Sequence, residues 1–173
     1  MNKQMKTKAD VKKILIEPHV QFIADFLIEK KESISVAESV TAGLMQLKLA
    51  SAENASEFFQ GGMTAYNIGQ KYRHLKIDPI HAATVNCVSQ QIAEQMSLSV
   101  CEMFSSQWGI GITGYATPVP QGGFKLFAFY SISYKNRIVS KGKISAAEEK
   151  PDIIQALYVS SVFEKLRLCM KQH

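Results

Sequence analysis

The hydrophobic pattern of this chain changes period along its length, and each change marks an element boundary. Val20, Ile23, Phe26 and Leu27 form one stripe at helical spacing after Pro18, which predicts an amphipathic helix over 20–30. Residues 34–37 alternate apolar and small side chains as a short strand does, and 41–50 carry leucine and methionine at helical spacing. Residues 62–66 read as a second strand, 67–75 as a helix start, 89–104 as a long helix and 108–114 as a third strand with glycines interleaved. Two runs, 124–133 and 137–145, alternate about Lys135 and Asn136 as a hairpin does. A last helix starts with Pro151 in its first turn and reaches Met170, turning Ile154, Leu157, Val162, Phe163 and Leu166 toward the core. Strands alternating with helices and closing on a hairpin predict an α/β fold: a three-layer α/β/α domain with a mixed sheet ending in a β-hairpin.

Composition narrows the class. With 173 residues, 46% of them hydrophobic, the chain fits one domain with a sizeable core, expected over 14–173. The formal charge of +5 suggests a nucleic-acid partner until it is located. Lys3, Lys6, Lys8, Lys12 and Lys13 stand against Asp10 alone, so the excess sits in 1–13, a basic arm expected to be disordered, and the rest is almost neutral. Without interleaved aromatics, no nucleic acid is expected. The apolar run Ile14–Leu15–Ile16 is too short for a signal peptide, and nothing approaches a membrane span. Cys87, Cys101 and Cys169 match no metal or disulfide spacing, which points to a reducing cytoplasm and to cysteines acting as small buried hydrophobes. His19, His74, His81 and His173 show no ligand spacing, so neither metal nor cofactor is expected. Gly109, Gly111 and Gly114 match a dinucleotide fingerprint only superficially, because they lie within a strand followed by Pro118 and Pro120 rather than by a helix.

Candidate chemistry lies at two strand-to-helix junctions, where the segments read Ala37-Glu38-Ser39-Val40-Thr41-Ala42-Gly43 and Gly62-Met63-Thr64-Ala65-Tyr66-Asn67-Ile68-Gly69-Gln70-Lys71. A helix beginning at or just after Ser39 would offer unpaired N–H groups and a positive dipole end to an oxyanion or a phosphate. A serine hydroxyl requires a base, and a lysine serves when burial lowers its pKa from roughly 10.4 toward neutrality. Ser39 as nucleophile and Lys71 as base is one reading. An N-cap serine and a solvated lysine is the other.

Both segments together resemble the CinA C-terminal domain family, which includes stand-alone nicotinamide mononucleotide deamidases. The family's A-E-S-C-T-G-G stands here as Ala37 to Gly43, and its G…Y-S-N-E-x-K as Gly62, Tyr66, Asn67 and Lys71, without gaps. Val88-Ser89 is similar to its V-S-E helix start, and Gly111-Ile112-Thr113-Gly114-Tyr115-Ala116 to its I-T-G-I-A-G-P strand and loop. The resemblance implies an amidohydrolase that converts a carboxamide to a carboxylate and ammonia through a Ser39–Lys71 dyad. Tyr66, Thr113, Thr41 and Gly43 would be substrate-binding. The partner would be a small molecule, a pyridine nucleotide among the candidates, with a homo-oligomer left open. The departures are Val40 for cysteine, Ala42 for glycine, a shorter loop from Thr117 to Gly123, and Glu148 and Asp152 where the family carries arginines suited to a phosphate. Lys141, Lys143 or Lys150 would have to replace those cations. Two alternatives follow from the departures: a catalytically degenerate ligand-binding or interaction protein, and a hydrolase for an amide without a phosphate.

Overall fold

Five consecutive buried residues, Ile34–Glu38, form strand β1 in the interior of the sheet in a computed structural model that describes residues 18–173. The expected arm, residues 1–13, lies outside the described residues. Parallel pairing of β1 with β2 (Phe59–Thr64) and with β3 (Trp108–Tyr115) covers both its edges. A strand buried on both faces is expected to lack an exposed polar face, and Ile34, Val36 and Ala37 supply that. Beyond β3 the sheet turns antiparallel through β4 (Leu126–Tyr134) and β5 (Arg137–Ala146), in the order β2-β1-β3-β4-β5. Lys135 and Asn136 turn the hairpin at φ 46° and 62°, the left-handed pair that a two-residue type I′ loop demands.

Six α-helices lie among the described residues: α1 (Val20–Lys30), α2 (Leu44–Ala50), α3 (Ile68–Leu75), α4 (Pro79–Thr84), α5 (Gln90–Phe104) and α6 (Pro151–Met170). One core forms where Ile23 and Leu27 of α1, Met45 and Leu49 of α2 and Phe163 of α6 meet Val36, Ile110 and Ile132 of the sheet. A second joins Leu75 of α3, Ala82 of α4 and Ile92 and Met96 of α5 to Ala37 of β1. The sheet therefore lies between two helical layers, as the alternation of elements predicts. Among the described residues no helix is long and apolar enough to cross a membrane.

Several boundaries moved for identifiable reasons. The second strand is Phe59–Thr64, because Phe58 and Phe59 pack into the core and start its pairing with Ile34. Helix α4 was not foreseen; Asp78 caps it by accepting the Ile80 N–H at 2.9 Å, and Pro79 opens it. On α6, Leu157 is 42% exposed while Tyr158 takes the core position, and the Tyr158 hydroxyl donates to the Tyr115 carbonyl at 3.0 Å. Phe124 is exposed ahead of β4.

The glycines of β3 do packing work. A Cβ on Gly109 or Gly111 would overlap the α5 backbone at Ser97 or Ala93, so α5 rests directly against the strand. The opposing β4 positions are also small: Ser131 accepts from Ser97 Oγ at 3.0 Å, and Ser133 donates to the Ser97 carbonyl at 3.0 Å. This close approach places the segment leading into α5 beside the end of β1. Gly111→Ala is expected to push α5 outward at a cost of about 1–3 kcal/mol. Thermal melting should show it as a fall of several degrees, at roughly 2–4 °C per kcal/mol for a chain of this size.

Candidate active site

Ser39 follows β1 directly and is 8% exposed. Its N–H donates to the Ile112 carbonyl at 3.1 Å, which extends the β1–β3 ladder by one step, and its carbonyl accepts the Ala42 N–H at 3.2 Å. The chain then turns through Ala42 at φ 51° and Gly43 at φ 98° before α2 begins at Leu44. For Ala42 that backbone costs about 1–2 kcal/mol; for Gly43 it costs little, since no Cβ clashes. The expectation of a helix starting at or just after Ser39 is therefore corrected: four residues, Val40 to Gly43, separate Ser39 from Leu44.

The reason is Glu38. Its side chain is fully buried and folds back over the turn, so that Oε2 accepts from Thr41 Oγ1 at 2.6 Å, Gly43 N at 3.2 Å and Met45 N at 3.1 Å. Oε1 accepts from Gln46 N at 2.9 Å. Three N–H groups that an uncapped helix start would offer to an incoming anion are thus taken by a carboxylate of the same chain. Thr41 and Gly43, expected at the substrate, stand outside the cavity that Ser39 lines, because both are engaged by Glu38.

Lys71 projects from α3, a helix capped by Asn67, whose Oδ1 accepts the Gln70 N–H at 3.0 Å. The lysine is 1% exposed. Its Nζ donates to Ser39 Oγ at 2.8 Å and to the Ala65 carbonyl at 2.9 Å. Burial holds its pKa below the ordinary 10.5, with the Cys87 thiol acting weakly in the opposite direction. The two residues that sequence spacing singled out, 32 positions apart, are in contact.

They open onto a cavity of about 710 Å3, within the usual range for small-molecule sites. Tyr66, 73% exposed, stands at its rim. The Thr113 hydroxyl reaches neither Ser39 nor Lys71; it donates to the Cys87 carbonyl at 2.8 Å. Cys87 is half-buried and lines the cavity, so it is not the buried hydrophobe expected. With Asn86 it forms two successive residues at positive φ, 48° and 60°, and the Asn86 amide donates to the Tyr115 hydroxyl at 3.0 Å. His81 contacts Ser89 at 3.1 Å and does not line the cavity. From α6 comes Gln155, whose amide donates to the Val40 carbonyl at 2.9 Å. Asn86 and Gln155 carried no signal in sequence, since they reach the site from a turn and from α6, and Tyr115 entered only as part of the 111–116 match. Cys87 was at most hinted at by its place just before the Val88-Ser89 helix start.

Lys71 is the one charged side chain lining this cavity among the described residues. Lys141 pairs with Glu94 at 3.0 Å and Lys143 lies 3.8 Å over the Phe127 ring; neither they nor Lys150 line it, so the expected replacement cations are not at the wall. Pro151 does line it, between Lys150 on one side and Asp152 on the other, with Glu148 and Glu149 just before. The same described residues hold no group of three or more histidine, cysteine or acidic side chains arranged for a metal.

Comparison with known proteins places these features. The model of the CinA C-terminal domain family matches residues 16–169. A CinA-like protein of Picosynechococcus sp. is 30% identical over 152 residues, covering 86% of this chain and 36% of its own. One from Prochlorococcus marinus is 33% identical over 153 residues, with 86% and 35% covered. The chain thus spans about a third of the length of these relatives. In three dimensions it is similar to a competence-damaged protein (CinA) superfamily protein from Klebsiella pneumoniae, at TM-score 0.85 and 18% identity over 91% of this chain and 98% of that one. A competence/damage inducible protein from Agrobacterium tumefaciens matches at TM-score 0.84 and 21% identity, covering 90% and 95%.

The lowered Lys71 pKa has a stability signature. Below its folded-state value both folded and unfolded chains carry the proton; between that value and 10.5 only the unfolded chain does. Stability contributed by this group therefore rises with pH through that window and is flat beneath it. Urea unfolding at stepped pH should show the rise in the wild type, and the wild-type minus Lys71→Met difference should isolate it. A difference independent of pH up to 10.5 would mean that Lys71 is an ordinary lysine.

Proposed function

The chain belongs to the CinA C-terminal domain family, and from that premise we propose that it is a serine amidohydrolase, converting a small carboxamide to a carboxylate and ammonia. The observation that carries this reading is the 2.8 Å contact between Ser39 Oγ and a buried Lys71 Nζ, at the floor of a cavity open to a small molecule. In its neutral form, which burial favours, Lys71 accepts the Ser39 proton as Oγ bonds to the amide carbon. Lys71 then returns that proton to the nitrogen, the C–N bond breaks, and ammonia leaves an acyl ester on Ser39. Water, deprotonated by Lys71, cleaves the ester; the carboxylate departs and the proton goes back to Ser39. The Ala65 carbonyl holds the amine in place throughout. Nicotinamide mononucleotide, the substrate that the family resemblance suggests, carries such a carboxamide.

A second reading is favoured by the cavity wall. Apart from Lys71 its polar groups are neutral, among them Asn67, Asn86, Gln121, Gln155, Thr117 and Tyr115. Beside Pro151 the chain places Glu148, Glu149 and Asp152 against Lys150, a balance that repels a phosphate dianion. The amide that fits such a wall lacks a phosphate. The remaining alternative, a degenerate binding module, leaves the desolvation of Lys71 without a use, since a structural role would be filled by an apolar side chain at lower cost.

The test is ammonia release from nicotinamide mononucleotide and from nicotinamide riboside, which differ only by the phosphate. Release is expected from the riboside with kcat/KM at or above that for the mononucleotide, and Ser39→Ala or Lys71→Ala should lower it by a factor of about 1000 or more. A strong preference for the mononucleotide would sink the second reading and keep the first. Release that survives Ser39→Ala would end both. If activity appears, its rate should rise with pH through the lowered Lys71 pKa and then level, because the neutral amine is the base.

A further inference from the structure

Glu38 has no part in the reaction as drawn, yet it is the most heavily engaged side chain beside the nucleophile. It is fully buried at the end of β1, and every donor on it comes from the turn and the helix that follow Ser39: Thr41 Oγ1, Gly43 N, Met45 N and Gln46 N. Its main chain reaches the other half of the site. The Glu38 carbonyl accepts the Ala65 N–H at 2.8 Å, and the Ala65 carbonyl in turn accepts from Lys71 Nζ at 2.9 Å. Apart from the Lys71 bond to its Oγ, Ser39 is held through its main chain, by Ile112 and Ala42. The turn beyond it is strained at Ala42, with Gly43 also at positive φ, and α2 is seven residues long, too short to hold the turn's shape alone.

From this geometry we infer that Glu38 is a positioning residue for the nucleophile: its carboxylate fixes the Ser39–Gly43 turn from within, so that Ser39 Oγ stays within reach of Lys71. The inference rests on the Ser39–Lys71 reading above. A residue without two acceptor oxygens cannot satisfy all three N–H groups and the Thr41 hydroxyl, and the turn then relaxes toward a shape that does. Ser39, at the head of the turn, moves with it. Thr41 belongs to the same device, because its hydroxyl makes the shortest of the four bonds, at 2.6 Å. Neither Glu38 nor Thr41 lines the cavity, so both act through Ser39 and not on the substrate.

Phosphorylation of Ser39 by diisopropyl fluorophosphate tests this without knowledge of the natural substrate. An O–P bond forms on Ser39, the P–F bond breaks, fluoride leaves and the Ser39 proton passes to Lys71. Intact-mass kinetics give kinact and KI separately for the wild type, Glu38→Gln and Thr41→Val. Glu38→Gln keeps the length of the side chain but turns an NH2 donor toward donors. Its kinact is expected to fall by about 100-fold, the scale of a 1 Å misplacement, with KI changed by less than about threefold. Thr41→Val should give a smaller fall of the same kind. In both, the pH midpoint of kinact should stay where the wild type has it, since the base is untouched.

A folded Glu38→Gln with kinact within about threefold of the wild type overturns the inference, as does a fall accompanied by a displaced pH midpoint, which would make Glu38 an electrostatic partner of Lys71. If circular dichroism shows Glu38→Gln unfolded, Thr41→Val decides, and an unchanged kinact there is equally fatal. Wild-type protein that takes no label at Ser39 removes the Ser39 reading and this inference together. Labelled wild type with unaffected variants removes only this one.

Discussion

Everything in the site depends on keeping a lysine amine out of water. Lys71 is almost fully buried, and an ammonium there loses hydration that an exposed lysine keeps, so the fold must offer acceptors in return. It offers two, the Ser39 hydroxyl and the Ala65 carbonyl. Neither can drift. Ala65 continues the pairing of β2 with β1 by one hydrogen bond beyond the strand end, and Ser39 continues that of β1 with β3 in the same way. The Ser39–Lys71 pair is therefore attached to the two ladders that flank the fully buried strand β1.

The turn after Ser39 handles negative charge in a manner the chain order alone would not suggest. A helix start just after Ser39 is an obvious place for an anion, yet here the anion is the protein's own, from Glu38. An internal carboxylate that accepts four hydrogen bonds holds the turn in one shape, and it also denies the α2 N-terminus to a substrate phosphate or carboxylate. Apart from Lys71, the polar groups of the cavity wall are chiefly neutral amides and hydroxyls. The opposite wall is built from strain: Asn86 and Cys87 sit at positive φ, and β3 clamps them through Thr113 and Tyr115.

Hydrophobic period sufficed for most of the architecture. The stripe at Val20, Ile23 and Leu27, the buried run at 34–38, the alternation about Lys135 and Asn136, and the proline at the head of α6 each report a local preference that tertiary contacts reinforce. Where local preference and packing disagreed, packing won. Leucine and methionine from 41 to 50 look helical from the start, but Glu38 and the Ile112 ladder hold the first of these residues in a turn. Leu157 is apolar and suitably spaced, but Tyr158 fills the core position and finds a carbonyl for its hydroxyl.

The sequence by itself determined the fold class, the two junctions that bear Ser39 and Lys71, and their family resemblance, because these depend on period and on short contiguous spacing. Only the tertiary structure decided that the two residues touch, that Lys71 is buried, that Glu38 and not a ligand occupies the α2 terminus, and that Thr113 serves Cys87. It also brought Asn86, Tyr115 and Gln155 to one cavity from three separate elements. The physical reason is the same in each case. Periodicity reports which face of an element is apolar, whereas desolvation, hydrogen-bond satisfaction and cavity shape depend on groups that meet only after the sheet and its two helical layers have closed.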